Sequence, residues 1–268
     1  MERRQHGDLV VWRFAHLAAQ AGLVHGVTAR HGGVSEGPYA SLNLGLHVGD
    51  DPARVIANRC RLCEAMGLDF ARFTLGAQVH GADLAEVGEA EAGAGREDPS
   101  SAIPEVDGLV VRVPGVSVAV LSADCVPLLF YDPRLCVAAA VHAGWRGTAA
   151  GMASNAVRSL ATRCGSRPAD LLVGIGPAIG GCCYQVSERM AGLIGDGFPY
   201  ATPVVRETAD GWYADLTSAN RQQLLASGVP AAQIESADLC TSCHAEEFFS
   251  ERRLGRPTGR LGAVVCLR

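Results

Sequence analysis

Apolar residues in this chain come in short runs that stop at polar or glycine positions. FTLGAQVH stops at Gly81, VSVAVLS at Ala123, and CVAAAVH at Ala143. The runs are near-continuous, the pattern of strands buried on both faces, and each ends on a side chain with chemistry to offer. An opening strand is predicted at Leu23–Ala29, four strand-like runs between Leu109 and Val141, and further strands at Leu171–Ile175, Trp212–Asp215 and Leu261–Leu267.

Helix signals are sparser. Asp51 as N-cap and Pro52 in the first turn predict a helix to about Met66, stopped by Gly67. Thr148–Arg163 reads as a helix of small residues, and Leu216–Ala226 as another. Strands and helices mix without a regular βαβ period, which predicts an α+β fold with mixed sheets in a single domain spanning 1–268. Two stretches carry no period. Arg30–Asp51 is dense in Gly, Ser and Asn, as in an ordered loop serving a site. Glu89–Asp107 is acidic and rich in Gly, Pro and Ser, and reads as a mobile connection inside the domain.

Composition narrows the chemistry. A net charge of −5 leaves no global field to hold nucleic acid, the start MERRQHGDLVVWRF has no apolar stretch long enough for a signal peptide, and no run elsewhere approaches the ~20 residues of a membrane span. A cytoplasmic location is expected, and with it ten mostly reduced cysteines. All 23 basic residues counted as Lys+Arg are arginines. The absence of lysine excludes a Schiff-base lysine, a Walker-type phosphate loop and a Ser-Lys dyad, so any anion must be held by Arg, backbone amides or metal.

Three phrases carry the candidate site: QVHG, ADCVP and HAGWRG. They supply His80, Cys125 and His142, two imidazoles and a thiolate, which suit zinc with a fourth position open; copper is possible with the same donors. Their wide separation points to a site assembled by the fold, since structural zinc knuckles take close CxxC or HxxxH pairs. A lone His at a strand end is more often a hydrogen-bonded structural residue, and a lone Cys an inert buried one. The neighbours argue otherwise: Asp124 beside the thiol, Pro127 after it, and Arg146 as a planar donor fork for phosphate or carboxylate. GIGPAIGG reads as a glycine-rich active-site turn. Cys240, Cys243 and His244 suggest a second metal only if Cys60 and Cys63 complete it, and those two fit core packing better. Cys182 and Cys183 are adjacent and are not expected to share one ordinary metal, so at most one of them is expected to face the site.

The segments TARHGGVSEGPYASLNLGLHVGDD, QVHG, ADCVPLL, HAGWRG, GPAIGGCCYQV, DLTSANRQQL and FFSERRLGRPTGR, in this order, resemble the YfiH/LACC1 family, once called polyphenol oxidase or laccase-domain proteins. The resemblance implies mixed β-sheets forming a sandwich flanked by helices, a CNF1/YfiH-like fold related to bacterial deamidase toxins. It implies a purine nucleoside phosphorylase acting with phosphate on adenosine, inosine, guanosine and methylthioadenosine, with adenosine deamination as a further activity. No obligate protein partner is implied. The family's zinc ligands fall on His80, Cys125 and His142. Asp124 is then the candidate for proton transfer, Arg146 with Arg30 or the HAGWRG amides for phosphate, and Asn43 for a ribose hydroxyl or base edge. Gln185 stands where the family commonly has Glu, which counts against an acid there. Two other classes remain open. A laccase-like copper oxidase is weakened by only eight His and no HxH pairs. A metal-free hydrolase of a cell-wall amide would use Cys125 as nucleophile with His142 or His80 as base.

Overall fold

The computed structural model describes residues 1–196 and 203–268. The apolar runs are continuous because each strand of the centre lies between a second sheet and a layer of helix. One sheet has the order β1 (Glu2–His6), β2 (Leu9–Arg13), β3 (Leu23–Thr28), β15 (Leu261–Leu267), β7 (Ser117–Ser122) and β4 (Phe73–Leu75). The other has the order β14 (Ile234–Ser236), β10 (Leu172–Ile175), β8 (Val126–Asp132), β9 (Val137–Ala143), β6 (Gly108–Val111) and β5 (Leu84–Val87). A small third sheet joins β11 (Gln185–Val186), β13 (Gly211–Ala214) and β12 (Val205–Thr208). Both large sheets are mixed: β4 runs parallel to β7 and β5 to β6, while β15 is antiparallel to both its neighbours.

Alternation along β9 shows how the layers are made. Ala138 and Ala140 face the first sheet and pack with Val118, Val120 and Val265. Val137, Ala139, Val141 and Ala143 face outward onto the helices Met152–Ser159 and Leu216–Ala226, through Ala153, Ala156, Val157 and Leu224. The first sheet does the same on its outer face, where Ala119, Leu121 and Val264 meet Leu62 and Cys63 of the helix Pro52–Met66. The result is the expected α+β sandwich flanked by helices. Small residues in β9 allow the two sheets to approach, and the period of two buries both faces.

Local signals hold where they are chemical. Asp51 caps the helix Pro52–Met66 by accepting from the Ala53 amide at 2.9 Å, and Gly67 ends it in the left-handed region. Three expectations change. The chain opens with a hairpin of β1 and β2, turning at Gly7, before the strand at Leu23. The helix expected from Thr148 starts at Trp145, breaks at Gly151 with a φ of 81°, and resumes at Met152, ending in a π-helical turn. Glu89–Asp107 is pinned, contrary to the mobile connection expected. Leu75 accepts from the Ile103 amide, the Leu75 amide donates to Ala94, and the buried Arg59 guanidinium donates to the carbonyls of Gly95 and Arg96. Among the described residues no helix is long and apolar enough to cross a membrane.

Within β3, His25 is buried, stacked on Phe14, and accepts from the Phe14 amide at 3.0 Å through Nε2. Its Nδ1 has no partner among the described residues. Burial, reinforced by Arg13 and His16, pushes its pKa down to about 3. The unfolded chain takes up this proton near pH 6.5 and the folded one does not, so the stabilisation is whole above that pH and falls as pH drops toward 3. The urea midpoint should therefore decline between about pH 7 and about pH 5. His25→Gln should flatten that decline, and an unchanged slope would refute the assignment.

Candidate functional site

The register of β8 against β9 starts the site. Pro127 pairs with His142 and Val126 with Ala143, which sets Cys125 beside Gly144 at the end of both strands. The third residue, His80, is not delivered by a strand: β4 ends at Leu75, and residues 76–83 form a loop. That loop is held by one carboxylate. Asp107, fully buried just before β6, accepts from the amides of Val79 at 3.1 Å, His80 at 3.1 Å and Gly81 at 2.7 Å. Its Oδ1 also meets His142 Nδ1 at 2.8 Å, and its carbonyl accepts from the His142 amide at 2.7 Å. His80 adopts a left-handed φ of 60° to make this turn.

The three side chains converge. The His80 and His142 rings meet edge to face with centroids 4.9 Å apart, and their ligating atoms and Cys125 Sγ lie within 4.8 Å of one another. Burial alone would push the Cys125 thiol up, but His142 and His80 beside it outweigh burial and bring it down to about 6. His142 moves the other way, to about 9, because Cys125 and Asp107 favour its charged form more than burial opposes it. Asp107 stays ionised in spite of burial, held down by His142 and the loop amides. The chain thus builds a carboxylate, an imidazolium and a thiolate in series.

These donors fit a metal. Because Asp107 takes His142 Nδ1, Nε2 is left for coordination once a metal displaces its proton, the carboxylate-histidine arrangement that supports metal-binding imidazoles. Gly144 keeps the space between the donors open. A Cβ there would come 2.9 Å from His80 Cδ2, 3.3 Å from Cys125 Sγ and 3.5 Å from His142 Cε1. The site lies in a cleft of about 980 Å³ that also takes in Trp145, Tyr184 and Arg146, a volume suited to a drug-sized ligand.

The other expected residues separate into lining and supporting groups. Arg146 lines the cleft, exposed, with its guanidinium 4.8 Å over the Trp145 ring and no side-chain hydrogen bond among the described residues. Asp124 lines it too, at a left-handed φ of 85°, but both carboxylate oxygens are engaged: Thr241 donates at 2.6 Å and the Arg252 amide at 2.7 Å. Its place is that of a clamp. Arg30 is not at the cleft; its guanidinium donates to the carbonyls of Ala40 and Ala245 and stacks on Phe249. Asn43 is fully buried and braces its own loop, accepting from the amides of Gly45 and Arg260. Gln185 is exposed on β11 and donates to the Asp210 carbonyl, so no acid would face the cleft from there. Cys240 and Cys243 meet Cys182 and Cys183, not Cys60 and Cys63, and His244 pairs instead with Glu246.

Sequence reasoning missed Asp107, although a carboxylate at the entry to the apolar run GLVV was a signal. It also missed that Arg252, Arg256 and Arg260, in the segment ERRLGRPTGR, line the cleft. Their spacing alone gives no sign of facing His80.

A family model described as multi-copper polyphenol oxidoreductase laccase matches residues 24–268. A purine nucleoside phosphorylase of Geobacillus stearothermophilus, YlmD, is 47% identical over 92% of this chain and 91% of its own. A protein named adenosine deaminase RL5, from an unknown prokaryotic organism, is 35% identical over 83% of this chain and 85% of its own. The crystal structure of the Bacillus licheniformis protein YfiH matches at a TM-score of 0.93 and 34% identity, covering 99% of each chain.

Asp107→Asn keeps the shape of the side chain but removes its charge and replaces one acceptor oxygen by an NH2, so it cannot accept from both the loop amides and His142. Zinc affinity, read by competition with a chromophoric chelator, should weaken about 10- to 100-fold. Unchanged affinity would mean that the carboxylate does not orient the site.

Proposed function

Because the chain belongs to the multi-copper polyphenol oxidoreductase laccase family, and is an enzyme of the purine nucleoside phosphorylase and adenosine deaminase type, we propose that it cleaves purine nucleosides with phosphate. Adenosine, inosine, guanosine and methylthioadenosine are its proposed substrates, adenosine deamination its second activity, and zinc its metal. The observation that carries this reading is the meeting of His80, Cys125 and His142 in a nucleoside-sized cleft that also holds the exposed Arg146.

In phosphorolysis a phosphate oxygen bonds to the ribose C1′, the bond from C1′ to the purine nitrogen breaks, and the pair and a proton end on the purine. Arg146 offers a planar fork to the phosphate, and Arg252 lines the same cleft. Tyr184, held protonated because burial pushes it up to about 12, is a neutral hydroxyl on the cleft wall. Asp107 holds the His80 loop and the His142 tautomer, and Asp124 clamps the wall that carries Arg252. Zinc at His80, Cys125 and His142 would supply Lewis acidity at the reacting centre.

The family's descriptive name does not bring multi-copper chemistry with it. Among the described residues, the two groups able to hold a metal contain two His between them. A second reading has a specific observation in its favour: Cys125, His142 and Asp107 form a nucleophile, base and orienting acid in line, as in a cysteine hydrolase.

Purified protein incubated with inosine should release hypoxanthine only when phosphate is present, and Cys125→Ala should abolish release. Chelation should abolish activity reversibly; amide hydrolysis that survives chelation but not alkylation would favour the hydrolase instead. Arg146→Ala should raise the phosphate KM about tenfold, ~1.4 kcal/mol, while the inosine KM changes little. Equal changes in both would remove Arg146 from the phosphate site.

A further inference from the structure

Away from His80, four cysteines meet where two loops cross. Cys182 and Cys183 close the turn GPAIGGCC, and Cys240 and Cys243 flank the turn CTSC. The loops are strapped together by backbone: Ala178 bridges Cys240, the Thr241 amide donates to the Ala178 carbonyl at 3.0 Å, and the Ala178 amide donates to Leu239 at 3.2 Å. All four thiols are free. Sγ of Cys182 lies 3.7 Å from those of Cys183 and Cys243, Cys183 lies 3.4 Å from Cys243, and the four sulfurs lie within 4.8 Å of one another.

A tetrahedron of sulfurs about zinc, with bonds of about 2.3 Å, has edges of about 3.8 Å, close to these separations and far from the ~2.05 Å of a disulfide. The surroundings suit a thiolate cluster. The Gly180 amide donates to Cys240 Sγ at 3.2 Å, and a Cβ at Gly180 would press within 3.2 Å of Cys182 Sγ and 3.3 Å of Cys240 Cβ. Two arginines stand beside the cluster: Arg206 donates to the Gly181 carbonyl at 2.9 Å, and Arg252 to the Cys183 carbonyl at 3.4 Å. Such cations offset the net negative charge that four thiolates leave on a divalent ion.

We propose that Cys182, Cys183, Cys240 and Cys243 form a closed tetrathiolate zinc site, separate from the His80, Cys125 and His142 centre. Adjacent cysteines serve together because the turn after Gly180 directs both sulfurs toward Cys243. With all four positions filled by protein the ion is structural. It locks the crossing from which Thr241 reaches Asp124 and against which Arg252 rests, so it fixes the wall of the cleft.

Metal analysis of freshly purified protein tests this. Wild type should carry about two zinc per chain, and Cys125→Ala and Cys182→Ser/Cys243→Ser about one each. Loaded with cobalt(II), Cys125→Ala should retain the intense charge-transfer absorption of four thiolates, and the double variant only that of a single thiolate. The Cys125→Ala spectrum decides the matter even if the double variant does not fold. Absence of a four-thiolate spectrum, a zinc count unchanged in the double variant, copper in place of zinc, or a disulfide among the four cysteines would each overturn the proposal. Failure of nucleoside cleavage leaves this outcome untouched, because the readout is metal content and spectrum.

Discussion

One buried carboxylate organises the site. Asp107 accepts three consecutive amides of the His80 loop and the Nδ1 proton of His142, so a single charge fixes two of three converging side chains. Burying a carboxylate is costly unless its lone pairs are satisfied, and here the amides and an imidazolium satisfy them. Cys125 and this carboxylate together raise His142 against its burial, and His142 in turn helps to lower Cys125. Remove it and the loop has no reason to hold a left-handed residue at position 80.

The sandwich makes such a placement possible. Because both faces of β8 and β9 are covered, their ends are rigid, and the register that pairs Pro127 with His142 fixes Cys125 against Gly144. Sites built on strand ends are held more tightly than sites on free loops. The loops that complete this one are tied back: Arg59 holds Gly95 and Arg96, Asn43 braces Arg260, and Asp124 joins Thr241 to Arg252. Several polar residues that look catalytic in the sequence are therefore spent on bracing loops. Arg30, Asn43 and Asp124 share this fate, and Arg146, with no side-chain hydrogen bond among the described residues, is left for ligand.

Cysteine usage follows the same logic on two scales. Cys63 packs with Leu62 in the core and behaves as a small apolar residue, pushed up to about 12 mainly by burial. Cys125 has the opposite fate because two imidazoles face it. The four cysteines at the loop crossing are close only because Ala178 and Cys240 are bridged, a contact between segments some sixty positions apart.

Much of the fold was legible in the sequence because its signals are local. The capped helix Pro52–Met66, the helix Leu216–Ala226 and the strand Leu261–Leu267 follow from an N-cap, a terminal glycine and runs of apolar residues. The three residues at the centre of the site were legible too, as chemistry stranded at the ends of apolar runs. Edge strands such as Ile234–Ser236 were not, since three residues carry no period of their own. Nor were the roles of Asp107, Arg30 and the four clustered cysteines, because a side chain's partner depends on what lies opposite it. By itself the sequence determined which elements form and which donors the chain possesses. Only the tertiary structure decided which donors meet, because backbone groups far apart in sequence compete for the same carboxylates and guanidinium forks, and the packing of the two sheets settles that competition.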